Sequence, residues 1–172
     1  AHLVVTGDRY LDAEPPCAGD DLDETIKIIR STIFGLRTRE GAGEAGLRAR
    51  AVRVVGEAAP VLGFAPSVRM EGLLDTDVPK EIADHVVAVL SEALTNIARH
   101  AHADRADVLL ATDGRQVLLS VTDNGGGIPA GGRRSGLRNM AERAEQLGGG
   151  LELGSPEGGG TTLTWRVPAR KA

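Results

Sequence analysis

A polar stripe near the middle of the chain combines side chains that can bind a metal ion and phosphate groups. Its members are Glu92, Asn96, Arg99 and His100. They are spaced four, seven and eight residues from the first, so a helix would place them on one face. Carboxylate and amide oxygens are ligands for Mg²⁺, and cations offset phosphate charge. The stripe is therefore suited to a metal-bound polyphosphate; the alternative is an ordinary solvated helix face.

A carboxylate at the end of an apolar segment could hold another part of such a ligand. Asp123 follows the apolar run 117–122 and precedes Gly125 and Gly127. Glycines let the backbone approach a ligand closely, and the carboxylate can accept a hydrogen bond from the amino group of adenine. The alternative is a glycine-rich hairpin turn that the aspartate caps.

Two later segments add potential contacts to an anion and a base. A glycine-rich loop leads into a helical pattern that begins at Gly136 and Leu137, and Arg133 and Arg134 lie in that loop. The free N–H groups at a helix start bind anions, and the arginines would add positive charge. A second glycine-rich turn precedes Thr161, whose hydroxyl could hold a base or a water. Taken singly, each segment is also typical of an ordinary helix start or turn.

Helical periodicity and alternating apolar residues predict the elements that position these groups. Helices are predicted over residues 44–61, 79–100 and 137–147, and strands over residues 67–73, 106–112, 117–122, 151–154 and 161–167. The first helix is expected to bury Leu47, Val52, Val55 and Ala59. Strands that follow one another directly form hairpins, as at Asp113-Gly114. The predicted fold class is an α/β (α+β) two-layer sandwich, with a mixed, mostly antiparallel sheet covered on one face by helices.

Three segments of different character are expected along the chain. Residues 1–19 are predicted to be an extended or poorly ordered leader, and residues 41–172 a single domain. Between them, residues 20–40 show a heptad seam suited to packing in a helical bundle. The seam consists of Leu22, Ile26, Ile29, Ile33 and Leu36. The alternative for this segment is a surface helix that packs on its own domain.

The composition excludes several classes of protein. A net charge of -4 and a pI near 5.6 argue against a general nucleic-acid binder. Cys17 is the only cysteine, which rules out an internal disulfide and fits a reducing cytoplasm. No apolar run approaches the roughly 20 residues that a membrane-spanning helix needs. We therefore expect no nucleic acid and no membrane contact for this segment.

In order and spacing, the segments resemble the motifs of the catalytic ATP-binding domain of bacterial sensor histidine kinases. The run Glu-Ala-Leu-Thr-Asn-Ile at 92–97 is similar to the N box of that family. Residues 123–127 and 136–137 are similar to its two glycine boxes, and residues 158–161 to its closing Gly-x-Gly-Thr. The family shares a Bergerat-type fold with DNA gyrase, MutL and the heat-shock chaperone ATPases. The short loop before the last helix resembles the subgroup that includes nitrate and oxygen sensors.

The resemblance implies a role for each residue of the site. Glu92 and Asn96 would be the catalytic residues and the ligands of Mg²⁺, the expected metal cofactor. ATP would be contacted by Asn96, Arg99, His100, Asp123, Gly125, Gly127, Ile128, Gly136, Leu137 and Thr161. Among these, Asp123 would bind the adenine amino group, and the N–H groups at 136–137 would contact phosphate.

The implied reaction is transfer of the ATP γ-phosphoryl group to a histidine. That histidine belongs to the dimerisation domain of the parent kinase, and a response regulator would receive the phosphoryl group next. The resemblance implies a cytoplasmic location for this chemistry. Residues 20–40 resemble the second helix of the dimerisation hairpin, in agreement with the heptad seam. The alternatives are a related ATPase, an anti-sigma serine kinase and a non-catalytic scaffold.

The sequence departs from the family pattern in two places. Kinases of this subgroup carry the phosphorylated histidine shortly before the equivalent of Asp20, but the stretch 1–19 holds only His2, outside any helical pattern. We therefore expect the chain to bind ATP without phosphorylating itself. The segment between Ile128 and Gly136 is short for a lid over the nucleotide. We expect weak binding for this reason, with a Kd between about 1 µM and about 1 mM.

Overall fold

The computed structural model describes residues 45–127, 135–156 and 158–169. The expected leader 1–19, the expected helix 20–40, Ile128 and the arginines at 133–134 lie outside the described residues. The helices are α1 (Leu47–Leu62), α2 (Leu74–Asp77), α3 (Lys80–Asn96) and α4 (Ser135–Gln146). The strands are β1 (Ser67–Glu71), β2 (Ala106–Thr112), β3 (Gln116–Asp123), β4 (Gly150–Gly154) and β5 (Thr161–Pro168). A π-helical turn at Ile97–Ala101 continues α3.

The five strands form one sheet in the order β1-β2-β3-β5-β4. Strand β1 runs parallel to β2, and the other three pairings are antiparallel. The register places Asp123, at the end of the central strand β3, between Ala106 of β2 and Thr161 of β5. The prediction of a mixed, mostly antiparallel sheet is confirmed.

The hairpin between β2 and β3 turns at the predicted Asp113-Gly114 pair. The Oδ1 atom of Asp113 accepts hydrogen bonds from the backbone N–H groups of Gln116 at 2.8 Å and Arg115 at 2.9 Å. These bonds favour the charged carboxylate, so they lower the pKa of Asp113. Gly114 has a φ of 79°, a conformation that glycine adopts without steric cost.

The core lies between one face of the sheet and the helices. Alternate residues of β2, β3 and β5 are buried, while their neighbours are half-buried or exposed. Helix α3 is apolar along the side that faces this layer, and Val86, Leu90 and Leu94 are buried there. Trp165 of β5 is fully buried, and its Nε1–H donates a 3.1 Å hydrogen bond to the carbonyl of Met140. This bond ties α4 to the sheet.

The buried face of α1 differs from the predicted one. Val52, which we expected in the core, is 58% exposed, and Ala59 is only half-buried. Arg50, which the apolar pattern did not include, is buried, and its guanidinium lies 2.7 Å from the carboxylate of Asp84 on α3. An ion pair allows a charged side chain to be buried at a position that a hydrophobic pattern does not predict. The other buried positions are Leu47, Ala51, Val54, Val55 and Ala58.

The strand predicted over 67–73 ends early and is followed by a short helix that the periodicity did not predict. Gly72 has a φ of 83°, and a side chain there would overlap the carbonyl oxygen of Thr112. This backbone conformation ends β1 at Glu71. Leu73, expected within the strand, is 65% exposed, and the chain then turns into α2.

Candidate functional site

The polar stripe lies where α3 passes into the π-helical turn. Glu92 and Asn96 belong to the last turns of α3, and both side chains are half-buried. Arg99 and His100 belong to the π-helical turn and are exposed. The sequence predicted helix to about residue 100, and the widened turn supplies its last residues. Such turns change the direction of the side chains that follow, and they are frequent at functional sites.

The first turn of α4 lies directly against this stripe. A side-chain carbon on Gly136 would overlap Glu92 Oε1 and lie 3.5 Å from Asn96 Oδ1. The carboxylate and carboxamide oxygens therefore meet at one point beside the start of a 12-residue helix. The first N–H groups of a helix have no partner within it and attract anions. The structure thus brings two side-chain oxygens and the first N–H groups of a helix to one place.

Asp123 is the other carboxylate among the predicted site residues. Asp123 lies at the end of β3 and is only 6% exposed. Its Oδ1 atom accepts a 2.9 Å hydrogen bond from the N–H of Gly125. A buried carboxylate is rare, since removing the charge from water is costly unless polar partners compensate. A ligand amino group would be such a partner.

The glycine-rich segments close around Asp123 through backbone contacts. A side chain on Gly125 would overlap the carbonyl oxygen of Ala101, and the N–H of Gly126 donates a 2.8 Å hydrogen bond to that same oxygen. A side chain on Gly160 would likewise overlap the Asp123 carbonyl. The loop after β3 therefore packs on the end of the π-helical turn on one side and on the turn before β5 on the other.

Most of the predicted site residues fall into two groups. The residues predicted to bind the metal and phosphates, called the metal-side group, are Glu92, Asn96, Gly136 and the half-buried Leu137. The residues predicted to hold adenine, called the adenine-side group, are Asp123, Gly125, Gly127 and Thr161, the residue paired with Asp123 in the sheet. The boundary between the groups is the hydrogen bond from Gly126 to Ala101, which connects the loop after Asp123 to the π-helical turn that carries Arg99 and His100. Ile128 lies outside the described residues.

The metal-side oxygens fit Mg²⁺ better than a metal that needs a full set of protein ligands. Among the described residues, no group of three or more His, Cys, Asp or Glu side chains could hold a metal ion. Mg²⁺ is commonly bound through one or two protein oxygens, with substrate phosphates and water as the other ligands. Glu92 and Asn96 carry two side-chain oxygens that could act as ligands of this kind.

One residue at the boundary was not among the predicted site residues. The Oδ1 atom of Asn124 accepts hydrogen bonds from the N–H groups of Arg105 at 3.0 Å and Asp104 at 3.2 Å. Its Nδ2 donates a 2.7 Å hydrogen bond to Asp104 Oδ1. Asparagine between a strand and a glycine often bonds to nearby backbone, and this was the signal available in the sequence. Its partners, 19 and 20 residues away, were not foreseeable.

A separate cavity of about 380 Å³ lies at the other end of the sheet. Its lining includes Arg115, Gln116, Thr164 and Arg166. Gln116 begins β3 and Asp123 ends it, so the two lie roughly 23 Å apart at the usual rise per residue of a strand. The cavity is therefore distinct from the site around Asp123. In addition, no helix among the described residues has the length and apolar character to cross a membrane.

Comparison with protein families gives a match over residues 81–171, more than half of the chain. The matching family is described as histidine kinase-, DNA gyrase B- and HSP90-like ATPase. The match includes α3, the glycine-rich segments and the last strand, and therefore every predicted site residue.

Two relatives from Bacillus subtilis strain 168 are sensor histidine kinases. LiaS is 38% identical over 97 residues, which are 55% of this chain and 27% of that protein. YxjM is 28% identical over 149 residues, which are 84% of this chain and 35% of that protein. The chain thus spans only about a third or less of the length of these relatives.

Two solved structures have similar folds. The histidine kinase domain of the blue-light activated kinase EL346 from Erythrobacter litoralis matches with a TM-score of 0.57 and 26% identity, over 88% of this chain and 77% of that one. The ATP-binding domain of PrrB from Mycobacterium tuberculosis matches with a TM-score of 0.53 and 23% identity, over 73% of this chain and 93% of that one. The predicted two-layer fold is confirmed by these similarities.

Proposed function

Because the chain belongs to the histidine kinase-, DNA gyrase B- and HSP90-like ATPase family, we propose that it binds Mg·ATP at the boundary described above and donates the γ-phosphoryl group to a histidine. The acceptor would lie on the dimerisation domain of the parent kinase, and a response regulator would receive the group next. The observation that carries this proposal is the contact of Gly136 with both Glu92 and Asn96, joined through Ala101 to the loop after Asp123.

The adenine end of ATP would be held by the adenine-side group. Asp123 is buried and is fixed through its bond from Gly125, so its carboxylate can accept a hydrogen bond from the adenine amino group without rearrangement. Gly125 and Gly127 leave room for the base and ribose, and Thr161 lies beside Asp123 in the sheet. Recognition by a carboxylate at this position favours adenine over bases that have no amino group there.

The phosphates would be held by the metal-side group. Glu92 and Asn96 would bind Mg²⁺, which would neutralise charge on the phosphate oxygens. The N–H groups at Gly136 and Leu137 would donate to phosphate, and the positive end of the α4 dipole would favour the same charge. Arg99 and His100 are exposed on the π-helical turn, where both would donate hydrogen bonds to phosphate oxygens and the guanidinium of Arg99 would add positive charge.

The transfer itself requires little covalent chemistry from this chain. A nitrogen of the acceptor imidazole would form a bond to the γ-phosphorus as the bond to the β–γ bridging oxygen breaks, and ADP would leave with that oxygen. In phosphoryl transfer, catalysis consists mainly of positioning and charge compensation. The residues of the site are suited to both, since they fix the two ends of the nucleotide relative to each other. ATP is held in the cytoplasm, and we place the proposed activity there.

The first test is a thermal unfolding experiment on the full chain with and without Mg·ATP. A ligand that binds only the native state raises its stability, by about 2.7 kcal/mol at 100 times the Kd. We expect the melting temperature to rise with Mg·ATP, and the rise to be lost in Asn96→Ala. Gln146→Ala removes an exposed carboxamide at the other end of α4 and should keep the full rise. No rise in the unaltered chain would support a scaffold that uses no nucleotide site, and an equal rise in both variants would show that ATP binds without Asn96.

The second test separates a kinase from the related ATPases. The chain is incubated with γ-labelled ATP, alone and with a histidine-bearing dimerisation domain of a related kinase. We expect label on the added domain, in a form that is acid-labile and base-stable, and no such label on this chain alone. Release of inorganic phosphate without labelled protein would identify an ATPase instead, and an acid-stable label on a serine would identify a serine kinase.

A further inference from the structure

We propose that Asn124 is a positioning residue, which sets the distance between the adenine-side and metal-side groups of the site. It would do so through its hydrogen bonds to residues 104–105, the loop that follows the π-helical turn. This inference rests on the proposed nucleotide function and adds to it. It concerns how the two halves of the site are held together and not which half binds which part of ATP.

The side chain of Asn124 uses both ends of its carboxamide. Its oxygen accepts from two successive N–H groups, those of Asp104 and Arg105, and its nitrogen donates to the Asp104 carboxylate. The backbone N–H of Asn124 also donates a 3.3 Å hydrogen bond to the Arg105 carbonyl. Four hydrogen bonds therefore connect one residue to a two-residue segment that is distant in the sequence.

The bonded segment is continuous with the helix that carries the predicted metal ligands. Ala101 ends the π-helical turn, and His102 follows with a φ of 50°, a left-handed conformation that is uncommon for a residue other than glycine. The chain thus turns sharply out of the helix before residues 104–105. The bonds of Asn124 hold the chain after this turn, and the bond from Gly126 to Ala101 holds it before the turn.

Asn124 is also adjacent to the adenine-side carboxylate in the chain. Asp123 precedes it and Gly125, which donates to Asp123, follows it. A displacement of Asn124 would therefore move Asp123 relative to Asn96. Both Asn124 and Asp104 are exposed, so their bonds contribute little to the core. Loss of these bonds should change the geometry of the site more than the stability of the fold.

The chemistry of the contact requires a carboxamide at 124 opposite a carboxylate at 104. Aspartate at 124 would keep both acceptor bonds but would place a second carboxylate 2.7 Å from Asp104 Oδ1, where the two charges repel. An exchange of the two side chains would restore the pair, since the carboxamide at 104 could then donate to the carboxylate at 124. Exchanging the side chains at 104 and 124 therefore tests whether the loss of binding in a single variant is due to this contact.

The experiment compares Asn124→Asp, Asp104→Asn and the exchanged double variant in the full chain. Isothermal titration gives the Kd for Mg·ATP and for adenosine, at a temperature where unfolding curves show every variant to be folded. Adenosine contacts only the adenine-side group, whereas Mg·ATP requires both groups. We expect Asn124→Asp to raise the Kd for Mg·ATP about tenfold, equivalent to about 1.4 kcal/mol, and the Kd for adenosine by less than about twofold. The double variant should recover to within about threefold of the original Kd.

Two controls keep the result interpretable. Gln116→Glu makes the same carboxamide-to-carboxylate change at the far end of β3 and should leave both Kd values unchanged. If Asn124→Asp does not fold, Asp104→Ala removes the carboxylate that accepts the bond from Asn124 Nδ2. This variant should raise the Kd for Mg·ATP about threefold and leave the Kd for adenosine unchanged.

Three outcomes would overturn the inference. These are an unchanged Kd for Mg·ATP in Asn124→Asp, an equal loss of affinity for Mg·ATP and adenosine, and no recovery in the double variant. The second of these would identify a purely structural residue. Failure of the proposed function itself gives a different result, because the unaltered chain would then bind neither ligand.

Discussion

A turn with an aspartate and a glycine lies at each end of strand β3, and the two turns, here called corners, differ in burial. The exposed corner is Asp113-Gly114, and the buried corner is Asp123-Asn124-Gly125. At both corners the aspartate Oδ1 accepts a hydrogen bond from the N–H two residues further along, Arg115 for Asp113 and Gly125 for Asp123. Asp113 is exposed and closes a hairpin, whereas Asp123 is buried beside glycines that contact other segments. The same local bond therefore makes a turn where water reaches the carboxylate, and a candidate ligand site where the sheet and the π-helical turn exclude it.

The largest expected effect comes from Gly125, the glycine of the buried corner. Gly125→Ala would place a methyl group onto the Ala101 carbonyl and disturb the bond between that carbonyl and Gly126. We expect a loss of about 2 to 4 kcal/mol in the free energy of unfolding, because backbone atoms cannot move aside as a flexible side chain can. Urea unfolding followed by circular dichroism measures it. A loss below about 0.5 kcal/mol would show that the backbone at Gly125 can move away from the Ala101 carbonyl at little cost.

The second prediction compares the two carboxylates as nucleotide ligands. Asp123→Asn keeps an oxygen that accepts the hydrogen bond from the Gly125 N–H. It replaces the charged oxygen that would accept a hydrogen bond from the adenine amino group with an NH₂ group, which only donates. We expect the Kd for Mg·ATP to rise by roughly 10- to 150-fold, equivalent to about 1.5 to 3 kcal/mol. Asp113→Asn, the matched change at the exposed corner, should leave the Kd within about twofold. Isothermal titration of both variants decides; similar losses in the two would remove the functional distinction between the corners.

The third prediction concerns Gly114, the glycine of the exposed corner. It has a φ of 79°, and a side chain there would lie 3.3 Å from Asp77 Oδ2, the end of a side chain that can move. Gly114→Ala should therefore cost only the left-handed conformation, about 1 to 2 kcal/mol of unfolding free energy, with no change in nucleotide affinity. The same urea and titration measurements apply. Weaker nucleotide binding in this variant would mean that the hairpin is coupled to the site.

The smallest expected effect is the pH dependence of the exposed corner. The N–H groups of Gln116 and Arg115 lower the pKa of Asp113 below its ordinary value of 3.8. A carboxyl whose folded pKa is depressed contributes stability above its unfolded pKa and loses it as the pH falls through the folded pKa. The stability difference between the unaltered chain and Asp113→Asn should thus be constant above about pH 5 and shrink below about pH 4. Urea unfolding between pH 3 and 7 tests this, and a difference that grows on acidification would contradict it.

Local patterns predicted the structure correctly where it depends on neighbours in the chain. Strand β2 has its predicted bounds, and β3, β4 and β5 begin and end within one residue of theirs. Alternation of apolar residues is a local signal, and the Asp-Gly pair between β2 and β3 is another. The family prediction is confirmed by the match over residues 81–171. The subgroup, the division of the chain into segments and the role of each site residue stay predictions.

Local patterns predicted the structure wrongly where a distant residue decides. Val52 satisfies a helical apolar pattern, yet it is exposed, whereas Arg50 is buried and forms an ion pair with Asp84, 34 positions further along. The early end of β1 at Glu71 likewise depends on the approach of Gly72 to the Thr112 carbonyl. Periodicity compares residues within about four positions and carries no information on such contacts.

The amino-acid sequence alone determined the family, the order of the five strands and the longer helices among the described residues, and the residue types that a nucleotide site needs. Those features follow from local spacing, because helix and strand periods are set by backbone geometry. Only the tertiary structure decided that Gly136 meets Glu92 and Asn96, that Asp123 at the end of β3 is buried, and that the Asn124 side chain bonds to residues 104 and 105. These contacts arise from sheet register and helix packing, which bring together residues 19 to 44 positions apart.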